Sequence, residues 1–503
     1  MGALDLLNIW VALDFLNIWA THDLINKWAT HDLLNKCDTR DLMNKPNVLF
    51  LIVDSLRADK VSDTEKNSII PNLDYIKKKG IFFDHTISPA DGTLLAYAGL
   101  FSGKHPFKTG MRSDKFTKLS NTISYFEVFK NFDYNLYGCL PRAAASLEII
   151  PEFENSDESF LDFPDALSNA GKIILKKLED GMKEPWFFLV HITNLHFPIK
   201  KPKNFEDKKF GSNNYEKQVS AIDAWIGSIL EKIDLENTLV VITGDHGSYI
   251  QSLKNESLEI DFQDNANAQM NILKVSKKIP KFAEPLKLKL FLMREQINKK
   301  RKLGKLQKLN LKPHEIRGLL HQRTNADRFL FDEKIRVPLF MIGNKVNQGM
   351  TISKQVRLID VFPTICEIVG FPKWEEKVDG ISLFPLLKKN KLEDLIAYIE
   401  STPGIVIETN NVIGIRTDKY KYFRNRHDAN LDVHLFDLER DPFEDDNMAK
   451  KSKDLVERME KKLQEIINGF SLEGTDYNND KMTKQETEER KNVKEMFEAM
   501  GYT

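Results

Sequence analysis

From Lys45 onward, apolar runs that end in polar tips alternate with stretches whose apolar positions recur every three or four residues. That is the pattern of a largely parallel sheet covered by helices on both faces. NVLFLIVD (47–54) is a continuous apolar run ending in a carboxylate, and GIFFDHTIS (80–88) is strand-like. WFFLVHITNLHFP (186–198) is a buried strand that runs into a polar tip, NTLVVITGDHG (237–247) ends in Asp245 and His246, and RVPLFMIG (336–343) reads as a further strand. IPNLDYIKKKG (70–80) predicts a helix closed by glycine. Beyond about Lys388, pieces such as IVIETNNVIGIRTDKYKYFRN predict short antiparallel strands, and the stretch from Thr475 is charged and helix-prone. The expected division is a tail over 1–44, a main α/β domain over 45–388 with an insertion at about 250–320, a small α+β subdomain over 389–470, and a charged helical tail over 471–503.

The first 44 residues carry a nonapeptide repeat, with Asp at 5, 14, 23, 32 and 41 and Asn at 8, 17, 26, 35 and 44. Nine residues advance a helix by about two and a half turns, so successive copies face opposite sides and do not stack into one core. His22 and His31 raise metal binding, and short repeats can form solenoids, but the expectation is a loose helical tail. The apolar start is interrupted by Asp5 and Asp14 and lacks a basic leader, so no signal peptide or transmembrane segment is recognised.

Composition adds limits. With 41% hydrophobic and 29% charged residues and a formal net charge of −1, the chain reads as soluble and globular, with no global attraction for nucleic acid. Cys37, Cys139 and Cys366 are odd in number and form no CxxC pair, which points to a reducing, cytoplasmic setting.

In an open α/β sheet, ligands bind outside the carboxyl ends of the strands. Asp54, Asp245 and His246, with His191 or His196, would meet there. Carboxylates with imidazole and a hydroxyl suit Mg, Mn, Ca or Zn. A single such Asp can instead cap a turn. Thr93, ahead of the apolar run LLAYAGLF, is equally open to two readings, a helix cap or a reacting hydroxyl.

The ordered series VDSLRAD (53–59), IPNLDYIKKKGIFF (70–83), TLLAYAGLFSGKHP (93–106), NTLVVITGDHG, FDEKIRVPL (331–339), IDVFPT (359–364), DGISLFPLL (379–387), RTDKYKY (416–422) and LFDLERDPFEDDN (435–447) resembles the sulfatase family of the alkaline-phosphatase superfamily. The resemblance implies an alkaline-phosphatase-like mixed, mostly parallel sheet with a small antiparallel subdomain. It also implies one divalent metal on Asp54, Thr93, Asp245 and His246, with Thr93 as nucleophile. Sulfatases proper carry C-x-P-x-R there, and the cysteine becomes formylglycine. Here the corresponding residues are Thr93, Leu95 and Tyr97, so no formylglycine is expected.

Other departures concern the anion. The paired aspartates after the first strand are Asp54 and Ser55, the GKWH-like element reads YGCLP (137–141), and Asp327 stands where a lysine is usual, with Arg328 adjacent as a substitute. Asp223 is followed four residues later by Gly227, so no second metal is expected. Relatives with threonine at the nucleophile position include phosphodiesterases, phosphatases and phosphotransferases. The sequence therefore favours a phosphoester, cleaved or transferred through a metal-activated Thr93, with His191, His196 or His321 as proton donor to the leaving oxygen. Arg57 would clamp the anion or hold the Asp54 turn by an ion pair. The alternatives are a sulfatase without formylglycine, and a non-catalytic scaffold for anionic glycans or lipids.

Residues 271–312 hold 14 Lys or Arg against two Glu, with leucines interleaved. Such a segment can contact an anionic membrane surface or polymer, or act as a substrate lid, or simply pack on the body by its leucines.

Overall fold

The computed structural model describes residues 45–471, apart from breaks at 63–65, 114–123, 147–149, 255–257, 263–283, 321–328, 347, 373–377 and 404–410. The nonapeptide repeat, the charged tail, His321 and Arg328 lie outside the described residues. Among the described residues, no helix is long and apolar enough to cross a membrane.

The main sheet has nine strands: β1 (Asn47–Val53), β2 (Ile81–Ile87), β3 (Asn135–Pro141), β4 (Phe160–Leu161), β5 (Trp186–Ile192), β6 (Thr238–Thr243), β9 (Arg336–Ile342), β10 (Met350–Ile352) and β11 (Val356–Arg357). A short hairpin supplies β7 (Ser252–Lys254) and β8 (Glu259–Asp261). Spatial order is β10, β2, β9, β6, β1, β5, β3, β4, with β11 also on β2. Every pairing is parallel except those of β9, which runs against both β2 and β6. The mixed, mostly parallel sheet that the family resemblance implies is therefore present. Its consequence is that β1, β2, β5 and β6 all end on one edge, where β9 begins.

β1 shows why the sheet is covered twice. Val48, Phe50 and Ile52 enter one apolar cluster while Leu49, Leu51 and Val53 enter another, as period-two alternation requires of a strand buried on both sides. The second cluster is closed by α1 (Pro71–Lys79), α4 (Asn169–Asp180) and α5 (Asn214–Leu230). The first is closed by α2 (Thr93–Ser102), α3 (Tyr125–Asn131), α9 (Val361–Ile368) and α10 (Phe384–Leu387). Two more helices, α6 (Glu284–Leu306) and α7 (Pro313–Leu320), form the insertion, and the one-turn α8 (Asp332–Ile335) leads into β9.

A four-stranded antiparallel sheet follows: β12 (Ala397–Glu400), β13 (Val412–Arg416), β14 (Tyr420–Asn425) and β15 (His434–Asp437). One face packs Tyr398, Ile415, Tyr422 and Leu435 against Met459, Leu463 and Ile467 of α11 (Lys453–Ser471). The other packs Ile399, Val412, Phe423 and Phe436 against Leu330, Phe331 and Ile335, next to the start of β9. The small sheet thus leans on the edge where the strand ends gather.

His105 lies by the other face of the small sheet, the one that packs on α11, buried between Phe107 and Tyr398. Burial pushes its pKa down to about 4, helped by Arg357 and Lys108 and opposed by Asp379. Above the ordinary pKa of 6.5 the ring is neutral folded or unfolded. Below it only the unfolded chain gains the proton, so stability falls as pH drops from 6.5 toward 4, by up to about 3 kcal/mol. Denaturant unfolding across that range should show this slope, and His105→Gln should remove it.

Candidate active site

Asp54 follows β1, and its backbone N–H donates to the Ile192 carbonyl at the end of β5. Ser55 next to it has φ of +62°, a left-handed conformation that costs a non-glycine residue energy unless its surroundings enforce it. Here Ser55 N–H donates to Asp245 Oδ1 (3.1 Å), and the Tyr215 hydroxyl from α5 donates to the Ser55 carbonyl (2.7 Å). The turn therefore couples the ends of β1 and β6.

Asp54 and Asp245 are 2% and 0% exposed, and each has one oxygen committed locally. The Ser55 hydroxyl donates to Asp54 Oδ1 (2.7 Å), while Asp245 Oδ1 accepts from Ser55 N–H and from His246 N–H (2.9 Å). Among the described residues, Asp245 Oδ2 has no hydrogen-bond partner, and neither does Nε2 of His191, which is fully buried in β5 and lies 3.5 Å from Asp54 Oδ2. Burial alone would push the Asp54 carboxyl up. The imidazoles of His191, His196 and His246 outweigh that effect and hold it well below the usual carboxylate range. Asp54, His191 and Asp245 each offer a ligand atom within 4.8 Å of the others. Orphaned buried acceptors facing one another are costly unless a cation joins them, so these residues fit a divalent ion.

Thr93 is the first helical residue of α2, and the N-cap is Gly92, with no side-chain cap. The threonine hydroxyl is instead 3.3 Å from His246 Nε2. His246 Nδ1 is 2.8 Å from the Gly247 carbonyl, which can only accept, so Nδ1 carries the proton and Nε2 of the neutral ring is a bare acceptor. His246 Nε2 also lies 3.5 Å from Asp245 Oδ2 and 3.9 Å from Asp54 Oδ1. The structure thus brings Asp54, Thr93, His191, Asp245 and His246 together, with His191 inside the acidic group and His246 between that group and Thr93. His196, half-buried after β5, is close enough for its charge to act on Asp54.

The loop before Thr93 is laced from three sides. Ser88 N–H donates to the Ile335 carbonyl, Ser88 Oγ donates to the Asp245 carbonyl, and Asp91 accepts from Thr402 N–H while pairing with Lys334 (3.2 Å). A Cβ on Gly92 would come within 2.5 Å of Thr402 Oγ1. Gly92→Ala should therefore shift the start of α2 and lower turnover by about 10²-fold with little change in substrate affinity, measurable as a kcat effect.

Arg57 is committed to an ion pair with Asp59. Its guanidinium is clasped by Asp59 through two 2.8 Å hydrogen bonds, with a third to the Ser248 carbonyl (3.2 Å), so it secures the loops after β1 and β6. Cys139 is buried within β3. In the insertion, Leu306 and Leu319 are buried, whereas Met293 and Ile297 are 51% and 44% exposed beside the exposed Arg294, Lys300 and Arg301.

Tyr97, which the sequence marks only as standing where the family has an arginine, hydrogen-bonds His191 Nδ1 through its hydroxyl. Its spacing of four from Thr93 on a helix was the available signal.

Residues 46–371 match the model of the Sulfatase family, and residues 322–469 match the C-terminal model of N-sulphoglucosamine sulphohydrolase. The chain is 31% identical over 146 residues to human arylsulfatase K and 28% identical over 159 residues to the Gallus gallus protein. These matches take in 28% and 30% of the chain and only 27% and 29% of those relatives. Similar folds include a 2-O GAG sulfatase (TM-score 0.57, 17% identity, 84% of this chain and 92% of that one). The phosphonate monoester hydrolase of Agrobacterium radiobacter is also similar (TM-score 0.56, 14% identity, 84% and 96%). With a family model matched over well more than half of its length, the chain belongs to the sulfatase family.

Proposed function

We propose that the chain is a metal-dependent hydrolase or transferase of an anionic ester, with Thr93 as nucleophile and a phosphoester as the preferred substrate. The observation that carries this reading is the 3.3 Å approach of Thr93 Oγ1 to His246 Nε2, on a ring whose other nitrogen is already donating. A divalent cation held by Asp54, His191 and Asp245 would neutralise the non-bridging oxygens of the ester and favour the alkoxide form of a nearby hydroxyl.

The protein groups then have definite tasks. His246 Nε2 accepts the Thr93 hydroxyl proton as Oγ1 bonds to phosphorus, and the bond from phosphorus to the leaving oxygen breaks. His196, on the loop after β5, is the proton donor to that oxygen in this reading. The N-terminal turn of α2, whose first N–H groups have no partner within the helix, would face the anion in this reading. Water or an acceptor alcohol then attacks phosphorus and passes its proton to the now unprotonated His196, the bond to Thr93 breaks, and Oγ1 takes its proton back from His246.

Two observations favour phosphorus. A threonine ester has no geminal hydroxyl, so it is released only by attack at the central atom, and an in-line second displacement suits phosphorus. Tyr97 and Cys139 also bring no cationic group to positions where the family carries arginine and lysine. A sulfate ester is the second reading, favoured by the named activity of arylsulfatase K and of the 2-O GAG sulfatase. The exposed cations of α6 would serve a polymeric or membrane-borne anionic substrate in either case.

The test is a matched panel of nitrophenyl phosphate, phosphodiester, phosphonate and sulfate with the metal-loaded chain. Preference for a phosphorus ester supports the reading. Preference for sulfate by a comparable margin transfers it to the second.

A further inference from the structure

The donor set around Asp54 limits which cation it can hold. Ser55 Oγ–H occupies Asp54 Oδ1, and two backbone N–H groups occupy Asp245 Oδ1. The second oxygen of each carboxylate is thus the one turned to a cation, which favours monodentate ligation, and His191 Nε2 supplies a nitrogen donor beside them. Calcium takes six to eight oxygen ligands, often through bidentate carboxylates, and magnesium prefers an octahedron of oxygens, so two monodentate carboxylates beside an imidazole serve both poorly. Three protein ligands of mixed nitrogen and oxygen character, with a remaining position open, are the arrangement of catalytic zinc sites.

His191 can give Nε2 only if its proton is on Nδ1. Nδ1 faces the Tyr97 hydroxyl oxygen, which can accept that proton's hydrogen bond, and the two rings meet edge to face with centroids 5.5 Å apart. Tyr97 is itself fully buried in α2, four residues from Thr93, so the helix that presents the nucleophile also orients the ligand. An outer partner of this kind fixes the ring's direction and tautomer.

Building on the metal-dependent reading above, we infer that the Asp54, His191 and Asp245 site selects a borderline transition cation of the zinc class over calcium and magnesium. Tyr97 is the positioning residue that holds His191 Nε2 toward that cation. The rival arrangement has Tyr97 donating to Nδ1 and His191 Nε2–H facing Asp54 as a purely structural pair.

The test uses the full chain, stripped of metal and dialysed against equimolar zinc, manganese, calcium and magnesium, with bound metal read by elemental analysis. Zinc-class retention at one ion per chain is expected, and the cobalt-loaded chain should show the visible absorption of a low-coordinate site with nitrogen ligation. Tyr97→Phe should weaken zinc binding by roughly 10- to 100-fold while circular dichroism is unchanged. His191→Gln should weaken it further and alter the cobalt spectrum. Retention of calcium or magnesium over zinc overturns the inference. So does a Tyr97→Phe chain with lowered melting temperature and unchanged zinc affinity, which is the signature of the structural pair. Selective calcium binding with ester turnover intact defeats this inference alone, whereas binding of no cation at all defeats the metal-dependent reading with it.

Discussion

Thr93→Ala should lower kcat/KM by about 10³- to 10⁶-fold on whichever anionic ester the chain turns over, the range found when a nucleophile is removed from a site that acts as a unit. Folding should be untouched, because Thr93 is not the cap of α2 and makes its side-chain contact with His246 rather than with the helix. Thr93→Ser keeps the hydroxyl and should retain most of the activity. The comparison separates chemistry from packing: a structural threonine would show a stability loss in the alanine variant and no special rescue by serine. His246→Ala should fall with Thr93→Ala rather than add to it, since both act on one proton transfer.

The second large effect concerns stability. Lys421 in β14 is fully buried, yet its ammonium sits 2.5 Å from Asp332 and 2.6 Å from Glu444. Asp332 also receives both arms of Arg416, and its backbone N–H donates to Glu444 Oε2. Removing one partner of a buried ion cluster leaves uncompensated charge, so Lys421→Met should cost about 3–5 kcal/mol in denaturant unfolding. Burial already pushes the Glu444 carboxyl up to about 7 despite the pull of Lys421. Without the lysine it rises further and the carboxyl keeps its proton. The folded variant then binds more protons than the unfolded chain as pH rises through the neutral range, so its stability declines toward alkaline pH. Because Asp332 opens α8, which touches Ser88 and Asp91, turnover should fall along with stability.

The fold was legible because β1, β5 and β6 are largely apolar runs, and such runs bounded by polar tips have few structural solutions. The reversed direction of β9 was not legible. RVPLFMI reads the same in either orientation, so its apolar pattern carries no sign of its direction between β2 and β6. That Asp54, Asp245 and His246 gather follows from strands ending on a shared edge. Which nitrogen faces which atom does not follow from sequence, because it depends on one carbonyl at Gly247 and one hydroxyl on Tyr97. The Lys421 cluster was hidden for a similar reason. RTDKYKY shows alternating charge that looks solvent-facing until the small sheet meets the loop before β9.

The most direct test of the account is to quench the metal-loaded chain during turnover of a phosphoester and analyse its peptides by mass. The account predicts one added phosphoryl group on the peptide carrying Thr93, present during turnover and absent from Thr93→Ala. Steady turnover with that peptide unmodified at every quench time, and with burst-free kinetics, would contradict it and make water, not Thr93, the attacking group.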